Sequence, residues 1–138
     1  MGPFISPQVN VVFQVVILVL LIISIRMKRR QKLSSHGITM LAAVILNVFS
    51  FGLNMLPSLL RTEIIGIQPF HAISMATLIH SGVGLVVMIL SIWIVASWQL
   101  QSSLKYCFKN KRLMRLTTIL WLAALLTGFL LYYLLYVY

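Results

Sequence analysis

A chain of 138 residues that is 61% hydrophobic and 9% charged is too apolar for a water-soluble domain, which is roughly 45–50% apolar and about 25% charged. Its net charge of +10 rests on eleven Lys and Arg against one acid, Glu63, which excludes paired-carboxylate hydrolysis and carboxylate-clamped magnesium or calcium sites within the chain. One cysteine, Cys107, excludes an internal disulfide and any cysteine-only zinc or iron–sulfur centre.

A transmembrane helix needs about 20 mainly apolar residues to cross a hydrocarbon layer of roughly 30 Å. Four stretches meet that length in chain order: Val9 to Ile25, His36 to Leu60, His71 to Trp98 and Leu116 to Tyr138. They lack strand alternation and exceed strand length, so the expected class is an all-α membrane four-helix bundle forming one domain. The first span carries its basic residues after its apolar core and shows no small-residue cleavage site, so it reads as a retained helix. Short connections predict that consecutive helices are antiparallel neighbours.

Arg26, Lys28, Arg29, Arg30 and Lys32 follow the first span, and Lys105, Lys109, Lys111, Arg112 and Arg115 precede or open the fourth. The connection between the second and third spans holds only Arg61, offset by Glu63. By the positive-inside rule the two basic loops are cytoplasmic and both termini lie outside. Tyr136 and Tyr138 outside, with Trp98 and Tyr106 inside, match interfacial aromatic belts. Topology and attraction to anionic lipid account for the basic loops, and no nucleic-acid recognition module accompanies them.

The few polar residues within the spans are aligned. In the second span His36, Met40, Ala43, Asn47, Ser50 and Asn54 fall in one stripe at 3.6 residues per turn, so that face meets the bundle or a partner subunit. In the third, Thr77, His80, Gly84 and Ser91 share a side with Ala76. Ser81, Gly82 and Gly84 are small enough to admit another backbone. One reading makes these faces packing seams stitched by amide and histidine hydrogen bonds. The other makes them haem or copper sites, with His36, Met40 and His80 toward a haem or other cofactor and His71, Met75 and Met55 toward copper. Depth argues against a bis-histidine haem, because His36 lies near the inner end of its span and His80 in the outer half of the third.

Other chemistry is absent from the sequence. There is no phosphate-binding glycine loop and no GxSxG elbow, and a Ser–His–Asp triad is impossible without Asp. A proton-driven transporter normally buries an acid, and Glu63 falls in an outer connection. Cys107, among basic residues, reads as an interfacial cysteine.

The C-terminal third runs Asn110-Lys111-Arg112-Leu113-Met114-Arg115-Leu116-Thr117, then Trp121, Thr127-Gly128 and Tyr132. This resembles the closing signature of a small prokaryotic membrane family, domain of unknown function 420. The His36-x-x-x-Met40-x-Ala42 start of the second span and His80 in the third resemble two further motifs of that family, and the likeness spans about residues 33–136. Its CtaM-like branch supports haem-copper terminal oxidases. The resemblance therefore implies a non-catalytic accessory or assembly subunit of a metalloenzyme in a prokaryotic cell membrane, with larger integral-membrane subunits as partners. A membrane copper monooxygenase is a second possible partner, and a haem or copper carrier is the competing class. Carried over residue by residue, the candidates are His36, Met40, His80, Arg115, Trp121, Thr127 and Tyr132. The family usually has His where this chain has Asn110 and often Pro where it has Ile119, and losing that loop histidine favours a structural role at the cytoplasmic end.

Overall fold

The structure is a computed structural model that describes residues 6–57, 72–100 and 109–137. The described residues form an all-α bundle of four long helices: α1 (Pro7–Arg29), α2 (Leu33–Ser50), α3 (Ala72–Leu100) and α4 (Lys111–Tyr132). A five-residue π-helical turn, Phe51–Met55, prolongs α2, and a second, Tyr133–Val137, prolongs α4. All four are long and apolar enough to cross a membrane, over Gln8–Arg29, Ser34–Met55, Met75–Trp98 and Lys111–Leu135. The chain is a multi-pass membrane protein.

The helices overrun the expected spans chiefly at their basic ends. Pro7 is the first residue of α1, two residues before the expected start: Ser6 caps the helix by accepting from the Val9 N–H, and proline suits a first-turn position whose N–H is unpaired anyway. At its other end α1 continues through Arg26, Lys28 and Arg29, where cations complement the helix dipole. Likewise α4 begins at Lys111, five residues before the expected start at Leu116. Long basic side chains reach the interface from within a helix, so an apolar stretch ends before its helix does. Residues 58–60 and His71, at the expected ends of the second and third spans, lie outside the described residues.

Between α1 and α2 the chain turns through a Schellman motif, with Lys32 N–H donating to Met27 C=O and Gln31 N–H to Lys28 C=O, 3.0 and 3.1 Å. Gln31 holds the left-handed position, at a φ of 60°. The helices α1 and α2 form one closely packed antiparallel pair and α3 and α4 another; α2 against α3 and α1 against α4 close the bundle.

The inward residues recur at alternating spacings of three and four on every helix. On α1 they are Asn10, Gln14, Ile17, Leu21 and Ser24, and on α2 His36, Met40, Ala43, Asn47, Ser50 and Asn54. His80, Gly84, Val87, Ser91 and Ile94 form the row on α3, and Met114, Thr117, Trp121 and Ala124 that on α4. A seven-residue repeat sustained in this way is the seam of a left-handed bundle crossing at about 20°. Around mid-height Ile17, Leu21, Ala43, Val44, Val87, Trp121 and Leu125 make an apolar core. Polar inward residues lie on either side of this waist, and large apolar side chains such as Val12, Ile38, Ile89 and Leu126 cover the outside.

Candidate functional site

Two polar regions flank the apolar waist. Toward the end opposite the basic residues, the Gln14 side-chain amide donates to Ser50 Oγ at 2.7 Å, and Ser50 in turn donates to Asn10 Oδ1 at 2.6 Å. This relay fastens α1 to α2 where Ser50 is buried. Asn54, one turn further on, is 94% buried (6% exposed), and its Nδ2 has no hydrogen-bond partner among the described residues. Across the bundle His80 is fastened to α4. The Thr127 hydroxyl gives its proton to the Ala123 or Ala124 carbonyl, 3.0 and 2.9 Å away, so its oxygen accepts the His80 Nδ1–H at 3.1 Å. Gly128 makes room for the ring: a Cβ there would sit 3.0 Å from His80 Cε1. His80 and Met55 line a small pocket of about 20 Å³ with Gln14, Asn47, Gly84 and Trp121.

At the basic end the geometry is different. Ser24, fully buried on α1, faces His36 near the start of α2. A carbonyl oxygen can only accept, so the 2.9 Å contact from His36 Nδ1 to the Ser24 C=O places a proton on Nδ1. Ser24 Oγ lies 2.6 Å from the same nitrogen and donates to the His36 C=O at 3.3 Å. In the neutral ring Nε2 is then the unprotonated nitrogen, the form that accepts a hydrogen bond or a metal.

His36 lines a cavity of about 500 Å³, within the range of roughly 300–1,000 Å³ usual for small-molecule sites. Leu21, Ile25, Ile94, Val95, Trp98 and Ile119 line it together with Met40, Met114, Ser91 and Thr117. Lys28, Arg29 and Arg115 stand at its edge. Ser91 and Thr117 return their hydroxyl protons to the Met88 and Leu113 carbonyls, 3.0 and 2.8 Å away, so neither costs an unpaired donor in the apolar wall. Trp98, expected at the membrane interface, is half-buried, and its indole occupies the place a Cβ would take on Gly37. Only glycine lets that ring lie against α2.

The structure thus sorts the residues singled out by sequence into two places. His36, Met40 and Arg115 surround the cavity at the basic end; His80, Asn47, Gly84, Trp121 and Met55 surround the small pocket toward the opposite end, with Ser50 and Asn54 on the same side and Thr127 holding the histidine. His36 and His80 do not meet. His36 is the fourth residue of α2, about 5 Å from the helix start, whereas His80 lies some 30 Å along α3 from its inner end at Leu100. One iron or copper cannot bridge that depth. Of the three expected copper ligands, Met55 lines the pocket beside His80, Met75 is 45% exposed, and His71 lies outside the described residues. Among the described residues no three His, Cys, Asp or Glu side chains cluster as a metal site. Thr77 and Tyr132 are half-buried. Among the described residues no atom lies within 4 Å of a Cβ position on Gly82 or Gly84, so the close backbone approach expected at these small residues is not made there.

Sequence reasoning missed Ser24, Gln14 and Asn10. They lie on the same three-and-four spacing that exposed the stripe on α2, so the signal was present. Cys107 and Tyr106 lie outside the described residues. Compared with models of protein families, with curated proteins and with solved structures, the chain has no match.

Proposed function

We propose that this protein is a non-catalytic accessory or assembly subunit of a larger integral-membrane complex, with a prokaryotic haem-copper terminal oxidase as the first candidate partner. The observation that carries the partner is on the outer side of α3. Gly82 floors a lateral groove of about 410 Å³ lined by Leu78, Ile79, Val83, Val86 and Leu120, which no atom of the described residues fills. Small residues flanked by large apolar ones let a neighbouring membrane helix approach closely, and such approach drives helix association where no hydrophobic effect operates. The oxidase rests on the motif resemblance. Residues of separate motifs converge in space, His80 on Thr127-Gly128 and His36 with Met40 and Arg115 around one cavity. On this reading the histidines act as fasteners that hold the bundle's register.

The test is to purify a tagged chain from its native membranes in mild detergent and identify what accompanies it. A larger membrane subunit in stoichiometric amount is expected, with the absorbance of haem-copper oxidase in the same fraction. Emergence of the chain alone at full yield sinks the subunit reading. The same preparation tests a second reading, a haem or copper carrier, favoured by the unprotonated Nε2 of His36 beside an apolar cavity. A Soret band or stoichiometric copper in the chain freed of partners selects the carrier.

A further inference from the structure

We propose that the cavity at the basic end is a binding site for one anionic phospholipid from the same leaflet. The inference uses the membrane fold alone and does not depend on which protein the chain accompanies.

Charge is the first argument. Lys28 and Arg29 come from the last turn of α1 and Arg115 from the start of α4, and the three converge on one opening. Like charges brought together at the edge of a low-dielectric region repel unless an anion joins them. Among the described residues no acidic side chain supplies that anion: the one acid of the sequence, Glu63, lies outside them.

The walls are the second argument. A free inorganic anion has no use for an apolar chamber, whereas a phospholipid brings a phosphate and hydrocarbon in one molecule. The cavity pairs a cationic edge with Leu21, Ile25, Ile94 and Val95. It also opens sideways: Ile119 both lines it and is 57% exposed on the outer surface of α4. A lipid can therefore enter within its leaflet without leaving the bilayer. Basic pockets between helices at the cytoplasmic side hold phospholipid heads in this way.

The experiment compares two charge-matched double variants with the wild-type chain in nanodiscs of phosphatidylcholine with or without phosphatidylglycerol. Arg29→Gln/Arg115→Gln removes two cations from the cavity edge, and Lys111→Gln/Arg112→Gln removes two from the same end away from the cavity lining. All four residues are exposed, and helical circular dichroism with a single elution peak checks that each variant folds. Lipid retained after detergent transfer is counted by native mass spectrometry. The expected result is one phosphatidylglycerol on the wild type, retention weakened about ten- to thirtyfold in R29Q/R115Q and little changed in K111Q/R112Q, and no displacement by excess inorganic phosphate. Equal loss in both variants makes the effect a diffuse surface attraction and overturns the site. So do equal retention of phosphatidylcholine, displacement by phosphate alone, or a tetrapyrrole in place of lipid, seen as a Soret band.

Discussion

Asn54 shows how a single residue can carry a cost that its neighbours avoid. It continues the inward stripe of α2 and is buried, yet its Nδ2 donates to nothing among the described residues, while Ser50 one turn earlier both donates and accepts. An unpaired amide donor in an apolar interior costs about 1–3 kcal/mol. Leucine at the same position has nearly the same length, no donor to satisfy and a higher helix propensity than asparagine. Asn54→Leu is therefore expected to raise the stability of the isolated chain by about 1–2 kcal/mol, seen as a higher midpoint of thermal unfolding in detergent. Ser50→Ala is expected to lower it by a similar amount, because Gln14 and Asn10 lose their shared partner. A fall in stability for Asn54→Leu would show that the amide is paired within the folded chain or that leucine does not fit its site, and would overturn this account.

At the scale of the element, the connection between α1 and α2 is set by backbone chemistry. The Schellman motif requires a left-handed residue after the helix, and here glutamine takes it at a φ of 60°. A side chain with a Cβ is strained in that conformation by about 1–2 kcal/mol, and glycine is not. Gln31→Gly is expected to stabilise the chain by about 1 kcal/mol, less a few tenths for the greater freedom of glycine when unfolded. Comparing unfolding midpoints of Gln31→Gly and Gln31→Ala separates the backbone effect from loss of the amide, since only glycine gains. The helices themselves were legible in the sequence because apolar length is a strong signal, and the inward face of α2 was legible because its polar residues keep a three-and-four spacing. Helix ends were less so: Arg26 to Arg29 and Lys111 to Arg115 are polar by composition but helical in fact, since snorkelling frees them from the apolar rule. The π-helical turns at Phe51–Met55 and Tyr133–Val137 have no composition cue. The seat of Trp98 against Gly37 joins residues 61 positions apart and could not be read from either neighbourhood.

For the whole molecule, the division between inside and outside decides what can still bind. The inward polar residues expected to face either the bundle or a partner face the bundle, where Gln14 with Ser50, Ser24 with His36 and His80 with Thr127 satisfy one another. Polar alignment therefore explains the chain's own register and leaves partner recognition to its apolar surface. On that surface Gly82 is the unusual position, an open groove among Leu78, Ile79 and Val86. Gly82→Leu places its Cβ in open space and its longer side chain in the groove, and it replaces glycine with a strong helix former, a gain of up to about 1 kcal/mol. The isolated variant is expected to unfold at the same or a higher temperature than the wild type, while recovery of a partner subunit on a tagged chain falls at least tenfold. Gly52→Leu, at an exposed glycine on the π-helical turn that also has nothing within 4 Å, is the matched control and is expected to leave recovery unchanged. If Gly82→Leu retains the partner in full, the groove is only a lipid-facing surface and the contact lies elsewhere on the bundle. If both variants lose it equally, added bulk at any open glycine is enough, and the groove has no special standing.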